Sequence, residues 1–437
     1  MTRETTRSTA TGDTPGELGV RAAAAPGGSG EDEGGLSLGR VVAFISLWLG
    51  VPWLVVGAWL RPWLPGGWLA VAGGLVLAAI PVWELVRGVG GTTYPSAVTR
   101  LLVLRPFWYA MLFLPLLAAA ALVGGLAGLP FRAGGSGGRW ALAVGGGLLG
   151  LAALVGYAGS RRLVVRRLEV RMPRLPAPFD GLQVVQVSDL HVGPHTSGRF
   201  LERVAAVVRE ERPDLLAVTG DQVDDFARDV ERFNEAFGDL RAPLGVFAIA
   251  GNHDVYAGWD EVHRGLADAG LIVLVNDSVA VQRGVRRLWI AGTGDPAGRG
   301  WSRGGGRSAA PDLERTLAHI PPDEPILALA HNPALWPALA DRGVDLTLSG
   351  HTHYGQLAVP SRGWCSASPF LKLAMGFHRR DRSLLYIHPG TNYWGIPFRI
   401  GTPPEVAVLT LRIGEAGGAA IAETSVSATM PGEGSAS

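Results

Sequence analysis

The stretch Val184-Val185-Gln186-Val187-Ser188-Asp189-Leu190-His191 decides the fold of this chain. Its first half is rich in β-branched residues and predicts a short strand. Its end places Asp189 and His191 two positions apart, so that on an extended chain their side chains face the same way. A strand that ends on such a pair indicates a metal site at the edge of a sheet.

Four further segments repeat this order of a strand followed closely by polar side chains. They are residues 215–218 before Asp221, 246–249 before Asn252, His253 and Asp254, 326–329 before His331, and 346–348 before His351 and His353. In open α/β sheets, ligands bind beyond the carboxyl ends of the strands. The five segments together therefore predict one shared site.

The predicted fold class is an N-terminal all-α transmembrane bundle of about four helices followed by an α/β domain. Helical patterns at about 198–211 and 225–237 alternate with the first strands. Further strands are predicted at 271–275, 279–283, 287–292, 384–388 and 406–412. This pattern predicts a four-layer catalytic domain at 175–412, in which two mixed β-sheets are sandwiched by helices.

Residues 40–160 are almost purely apolar and are predicted to form the transmembrane helical region. Candidate spans cover 41–60, 66–84, 107–130 and 140–159, with tryptophans near their ends as at membrane interfaces. About 20 residues of helix cross a hydrocarbon core of roughly 30 Å. The segments 1–39 and 413–437 are small and polar without an apolar period, and both are predicted to be disordered.

Arginines are distributed unequally on the two sides of these spans. With four spans, ten arginines flank the side that carries the soluble domain, and three flank the opposite side. This bias predicts a multi-pass membrane protein whose catalytic domain lies in the cytoplasm. The loss of one span is expected to reverse the assignment. Because the spans carry no convincing ion-pathway residues, the region is predicted to be an anchor and not a transporter.

The side chains at the strand ends are carboxylates, an amide and imidazoles, and the single cysteine, Cys365, is not among them. Mixed nitrogen and oxygen ligation without thiolate suits manganese, iron, zinc or cobalt. Two such ions about 3.5–4 Å apart would stabilise the attacking and leaving oxygens of an in-line displacement. Each motif alone is also typical of a turn or a helix cap, so the prediction depends on the ordered set.

The ordered set resembles the calcineurin-like metallophosphoesterase superfamily over about residues 178–412, and the segment 390–405 resembles its membrane-associated bacterial phosphodiesterase branch. The resemblance implies two divalent metal ions per chain, the first held by Asp189, His191 and His353, the second by Asn252, His331 and His351, with Asp221 as the bridge. It further implies that His253 protonates the leaving oxygen. Asp254 would orient that imidazole or cap the next helix, and both roles can coexist.

Several neighbouring positions remain open to more than one interpretation. Asp224 stands where a tyrosine would mark the ferric purple acid phosphatase type, so that chemistry is not expected. Tyr354 follows the last ligand, where the resembling branch often has glycine, and it either narrows the site or packs in the core. Arg399 binds a phosphate or forms a structural salt bridge. His195 contacts a substrate phosphate or, as we favour, is an exposed loop histidine.

The predicted function is a membrane-anchored, dinuclear metal-dependent phosphoesterase that hydrolyses a phosphodiester, pyrophosphate or phosphomonoester by attack of metal-bound hydroxide. The alternative is a non-catalytic metal-binding sensory or scaffolding membrane protein. The presence of His253 and Asp254 favours the enzyme, because a protein that only binds metal does not need an acid. A nucleic-acid partner is disfavoured by the lack of a basic, aromatic-interleaved groove.

The membrane region also bears on the predicted substrate. An anchor that holds the site near the bilayer favours a lipid-linked phosphate ester. Tyr393 and Trp394 either line a pocket for a base or a lipid, or pack against the edge of the sheet. Phosphate-ester substrate and bilayer are thus the predicted partners.

Overall fold

The computed structural model of this protein describes residues 38–88, 93–299 and 308–425. Predictions made for residues 1–37 and 426–437 lie outside the described residues. The first four described helices are α1 Leu38–Leu60, α2 Trp68–Gly88, α3 Ala97–Phe131 and α4 Gly134–Ser160. Within α3, the segment Arg100–Leu104 is π-helical.

Among the described residues, three helices are long and apolar enough to cross a membrane. These are Gly39–Leu60, Ala97–Phe131 and Gly134–Ser160, whereas the apolar part of α2, Trp68–Glu84, is shorter. The sequence predicted a fourth span from residue 66. In the structure Gly66 and Gly67 both have a positive φ, which forms a turn and delays the start of α2 to Trp68.

The apolar helical region contacts the following domain at residues 394–400, and also through Tyr94, whose hydroxyl donates to Asp229 at 3.2 Å. The hydroxyl of Tyr109 in α3 donates a hydrogen bond to the carbonyl oxygen of Pro397 at 3.0 Å. The backbone N–H of Arg399 donates to the carbonyl oxygen of Gly156 in α4 at 2.8 Å. A Cβ added at Gly156 would lie 2.2 Å from the ring of Phe398. Helices and domain are therefore joined closely, with no room for a larger side chain.

In the described part of the domain there are fifteen strands, arranged in two large sheets and one hairpin. The strands are β1 Val164–Met172, β2 Gln183–Val187, β3 Leu215–Val218, β4 Val246–Ala248, β5 Ile272–Val273, β6 Asp277–Arg283, β7 Arg286–Gly292, β8 Ile326–Leu329, β9 Leu346–Ser349, β10 Ala358–Val359, β11 Trp364–Cys365, β12 Gly376–Arg380, β13 Ser383–Ile387, β14 Glu405–Ile413 and β15 Gly417–Ser425. The seven-stranded sheet has the order β15-β1-β14-β2-β3-β4-β5, and the six-stranded sheet has the order β12-β13-β9-β8-β7-β6.

Both large sheets are mixed, as predicted. In the seven-stranded sheet, β2, β3, β4 and β5 are parallel, while β14 pairs antiparallel with β2. In the six-stranded sheet, β7, β8, β9 and β13 are parallel, with antiparallel partners β6 and β12 at the edges. The parallel strands place their carboxyl ends at a common edge of each sheet.

The main apolar core lies between the two sheets. Leu215 and Phe247 from the first sheet meet Leu327 and Leu346 from the second. Helices α5 Gly198–Glu211, α6 Val230–Phe237 and α7 Asn252–Asp268 cover the outer face of the seven-stranded sheet. The short helices α8 Leu313–Leu317 and α9 Trp336–Asp341 pack on the six-stranded sheet.

The domain is larger at both ends than the predicted range of 175–412. Strand β1 begins at Val164, and β15 pairs antiparallel with it, from Val164 opposite Ser425 to Arg171 opposite Gly417. The prediction of a disordered tail from residue 413 is therefore corrected for Gly417–Ser425. Small residues still pair in a sheet because the ladder is made by backbone groups, and β1 would otherwise be an unpaired edge.

Candidate metal centre

The predicted ligand segments all follow parallel strands whose carboxyl ends meet. The loops after β2 and β3 are joined by backbone hydrogen bonds from Asp189 N–H to Gly220 oxygen and from His191 N–H to Asp221 oxygen, both at 3.0 Å. The loops after β8 and β9 are joined by a bond from Gly350 N–H to the oxygen of His331, at 3.1 Å. Ligands from both sheets are thus fixed by backbone contacts.

Five of the seven predicted ligands have a left-handed backbone. Their φ values are 54° for Asp189, 41° for His191, 52° for Asp221, 73° for His351 and 49° for His353. Among the described residues only eleven that are not glycine have a positive φ, and these five are among them. Such conformations cost about 1–3 kcal/mol each and cluster at functional sites. The backbone strain is therefore concentrated at the residues that the sequence predicts as ligands.

Donor atoms of the first predicted group converge within hydrogen-bonding distance. Nε2 of His191 lies 3.0 Å from Nε2 of His353. Nε2 of His353 lies 3.3 Å from Oδ1 of Asp189. The three residues are almost fully buried, so these atoms face one another across a space that bulk water does not fill.

The second predicted group converges around the amide oxygen of Asn252. Nδ1 of His351 lies 2.8 Å from Oδ1 of Asn252, and Nε2 of His331 lies 3.2 Å from the same oxygen. Oδ2 of Asp221 lies 3.2 Å from Nε2 of His331 and 3.6 Å from Nε2 of His191. One carboxylate oxygen of Asp221 therefore reaches both groups, which is the position of a bridging ligand.

The donor set fits divalent metal ions. Two imidazole nitrogens of His191 and His353 face each other, and Oδ2 of Asp189 is buried without a hydrogen-bond partner. Burial and the charge of His331 lower the pKa of His351 to about 4, and burial with the charge of His191 holds the pKa of His353 well below its usual value. Both rings are thereby neutral at pH 7, the state that a metal ligand requires.

Two ligands are oriented by groups behind them. Nδ1 of His331 lies 2.8 Å from the carbonyl oxygen of Thr219, which must accept its proton and so directs Nε2 toward Asp221. The guanidinium of Arg399 lies 2.9 Å from Nδ1 of His353 and donates to the carbonyl oxygen of Pro389. Burial lowers the pKa of Arg399 to about 10. Since its guanidinium is enclosed by these contacts, Arg399 supports the ligand loop and does not face the cavity as a phosphate-binding group.

The predicted role of Asp254 needs correction. Its carboxylate accepts hydrogen bonds from the backbone N–H of Gly251 at 2.8 Å and of Val223 at 3.0 Å. The group beside Nδ1 of His253 is Asp224, whose Oδ1 lies at 3.2 Å. Consecutive residues on a helix point in different directions, so Asp254 fixes the start of α7 while Asp224 orients His253. Sequence adjacency hid this partner.

His253 stands beside the two ligand groups, and the carboxylates around it favour its protonated form. Burial acts to lower its pKa, but the charges of Asp221 and Asp224 outweigh burial and raise that pKa to about 10. The imidazoles of His331 and His253 in turn hold the pKa of Asp221 well below its usual value, against the effect of burial. A protonated imidazole at neutral pH is the form that a general acid requires.

Two other open positions are settled by their contacts. Tyr354 is buried, and its hydroxyl donates to the carbonyl oxygen of Ile387 at 2.6 Å, so it packs in the core and does not narrow the site. His195 was expected on an exposed loop. It is half-buried and lines a cavity beside His253, where burial and the charge of Arg105 lower its pKa to about 4.

Gly350→Ala should weaken metal binding by at least about tenfold. A Cβ at this position would lie 2.1 Å from Oγ of Ser188 and 2.2 Å from Oδ2 of Asp189. The loop that carries His351 must then shift, and displaced ligand support typically costs 10–100-fold in metal affinity. Equilibrium dialysis of the full chain against Mn²⁺, followed by elemental analysis, measures the affinity.

Gly198→Ala is the matched control, because a Cβ there meets no atom within 4 Å. Equal Mn²⁺ affinity in the two variants would contradict the close approach of these loops around a metal centre.

The fold and the site define a class: an α/β protein with a divalent-metal ligand cluster at the carboxyl ends of strands from two mixed sheets. A family model described as calcineurin-like phosphoesterase matches residues 182–355, the range that holds all seven predicted ligands. A metallophosphoesterase of Aquifex aeolicus is 30% identical over 255 residues, which are 57% of this chain and 92% of that protein. The chain belongs to the calcineurin-like phosphoesterase family.

The name of a second relative includes a membrane region. The transmembrane protein with metallophosphoesterase domain of Danio rerio is 33% identical over 255 residues, 56% of each chain. This chain therefore spans just over half the length of that relative. Among solved structures, the sulfate thiohydrolase SoxB of Thermus thermophilus shows 15% identity and a TM-score of 0.34, over 55% of this chain and 57% of that one.

Proposed function

We propose that this chain is a membrane-anchored phosphoesterase with two divalent metal ions, which hydrolyses a phosphodiester, pyrophosphate or phosphomonoester. The observation that carries the proposal is the convergence of two donor groups on one carboxylate oxygen of Asp221, with the protonated His253 beside them. Family membership supports a divalent-metal site. Manganese, iron, zinc and cobalt all suit the donor set.

Each residue near the centre has one role in the proposed reaction. The first ion would be held by Asp189, His191 and His353, the second by Asn252, His331 and His351, and Asp221 would bridge them. The ions supply positive charge for the phosphoryl oxygens and lower the pKa of an attacking water. His253 holds the proton that the leaving oxygen takes up, and Asp224 keeps the imidazole in place.

The rear of the centre excludes bulk water. Asp189, Asp221 and His331 are buried to at least 98%, so their charges act in a medium of low dielectric constant. Fixed donors in such a medium stabilise developing charge without reorganisation. The geometry therefore suits a displacement at phosphorus better than it suits simple storage of metal.

The membrane anchor is formed by the three spanning-length helices. Counting crossings by α1, α3 and α4, the side of the soluble domain carries ten arginines among the described residues: Arg61, Arg87, Arg100, Arg105, Arg161, Arg162, Arg166, Arg167, Arg171 and Arg174. The opposite side carries three, Arg40, Arg132 and Arg139. Contrary to the expectation from the sequence, removing α2 from the crossings does not reverse the assignment. The domain stays on the arginine-rich side, which favours a cytoplasmic location.

Chelation followed by metal addition tests the proposed function. The full chain, purified in detergent and stripped with EDTA, should lose hydrolysis of bis(4-nitrophenyl) phosphate and 4-nitrophenyl phosphate by at least about 100-fold, because the attacking water loses its activation. Activity should return with the second equivalent of Mn²⁺ per chain. A chain that binds two ions yet hydrolyses neither these esters nor a diphosphate diester would support the sensory or scaffolding alternative.

A further inference from the structure

The candidate centre opens into a cavity that is walled on its other side by the apolar helices. The cavity has a volume of about 220 Å³. His191, His253 and Asp224 line it on the side of the centre, and Leu104 and Trp108 of α3 line the facing wall. A substrate at the centre therefore lies directly against the membrane region.

An aromatic surface connects the proposed acid to α3. The ring of Trp394 lies 5.7 Å from the ring of His253 and 5.8 Å from the ring of Trp108, measured between centroids. Trp394 remains 42% exposed although it touches both. This surface offers an apolar group of a substrate a continuous path away from the phosphorus.

A second cavity continues this path between the helices. It has a volume of about 390 Å³ and is lined only by apolar residues of α1, α2 and α3, among them Leu49, Trp53 and Ile80. Both cavities border the same turns of α3, since Leu104 and Trp108 line the first while Val103 and Phe107 line the second.

The π-helical segment Arg100–Leu104 lines both cavities, with Leu104 in the wall of the first and Val103 in the wall of the second. Such segments insert one extra residue into a helix turn and are frequent at functional sites. A group that leaves the first cavity along α3 therefore reaches the second cavity within one turn of helix.

We propose that the substrate is an amphiphilic phosphate ester. Its apolar chain lies along Trp394 and Leu104 toward the second cavity, between α1, α2 and α3. The inference rests on the proposed function, because it specifies the apolar chain that is attached to the hydrolysed phosphate. A small polar ester would leave the Trp394 and Trp108 surface uncovered. An apolar chain covers it and does not have to leave the bilayer side of the protein.

The dependence of hydrolysis on chain length tests the inference. The Mn²⁺-loaded full chain in detergent is assayed with methyl, butyl and octyl 4-nitrophenyl phosphate at a fixed mole ratio to detergent. The ratio of kcat/KM for the octyl over the methyl ester should be at least about 50, because each fully buried methylene contributes up to roughly fourfold. In Leu104→Asn the ratio should fall at least about tenfold.

Leu116→Asn is the matched control, since Leu116 lies on the same helix, is 51% exposed and borders neither cavity. It should keep the ratio of the unchanged protein. Equal ratios in the Leu104 and Leu116 variants, or equal rates for methyl and octyl esters in the unchanged protein, would overturn the inference. Absence of hydrolysis of every ester would instead show that the proposed function itself fails.

A binding measurement keeps the test independent of turnover and of the variants. An octylphosphonate with a diazirine at its chain end should label residues 77–84 or 100–108 of the full chain on illumination. Excess unlabelled octylphosphonate should remove the labelling, whereas methylphosphonate should not. Labelling confined to other peptides would contradict the proposed position of the chain.

Discussion

His253→Ala is expected to lower kcat by about 10²–10⁴-fold, the usual contribution of a general acid, while the chain still binds two metal ions. The imidazole donates no ligand to either group in the proposed assignment, but it lies within 3.2 Å of Asp224 and lines the cavity. Steady-state kinetics and elemental analysis on the same preparation measure the two quantities.

A substrate with a good leaving group gives this prediction a second readout. The loss should be smaller for 4-nitrophenyl esters than for alkyl esters, because nitrophenolate departs without a proton. His319→Ala, at an exposed position on the domain surface, is the control and should change neither kcat nor metal content. A His253 variant that loses both ions together with activity would indicate a ligand or a structural residue in place of an acid.

Asp221→Asn is expected to remove both metal ions and to lower kcat by more than about 10³-fold. Its Oδ2 reaches donors of both groups, at 3.2 Å from His331 and 3.6 Å from His191. The amide keeps the shape of the side chain but lacks the negative charge that two cations share. Competitive titration of Mn²⁺ against a chelator should show both affinities weakened.

Asp239→Asn serves as the control for this substitution. Asp239 forms a surface ion pair with Arg209 at 2.7 Å, and its side chain is 68% exposed, so its loss should cost less than about 1 kcal/mol. Retention of one tightly bound ion in Asp221→Asn would contradict the bridging position and would assign Asp221 to a single group.

The sequence located the ligands because each follows a strand. Strands β2, β3, β4, β8 and β9 are short apolar segments, and parallel pairing alone brings their carboxyl ends to the same edge. The order of polar residues after them therefore predicted a shared site, and the structure brings all seven together. Backbone topology determined the position of the ligands here, and local side-chain packing did not.

Partners that depend on tertiary contacts were beyond the same reasoning. In the sequence, Asp224 served only to exclude the ferric type, because it stands where that type has a tyrosine. Its position beside His253 depends on the approach of two loops. Strand β1 was missed because its arginines were interpreted only as a membrane-orientation signal. In the structure Arg166 pairs with Glu405 at 2.5 Å and Arg167 with Glu211 at 2.6 Å, while Leu168 and Val170, which follow them in the strand, are buried.

The cavity beside the centre illustrates the same limit. Trp394 was left between lining a pocket and packing the sheet edge, and the structure places it in the cavity wall. That wall forms where the helices meet the domain, through contacts such as Tyr109 with Pro397 and Tyr94 with Asp229. No periodicity within either region predicts how the two regions meet.

Electron paramagnetic resonance of the fully Mn²⁺-loaded chain tests the two-metal claim most directly. Two ions bridged by Asp221 and about 3.5–4 Å apart should give the multiline spectrum of an exchange-coupled pair, at a saturating content of two ions per chain. The same spectrum should be lost in Asp221→Asn. A signal of isolated Mn²⁺ at saturation, or a content of one ion per chain, would contradict the two-metal centre.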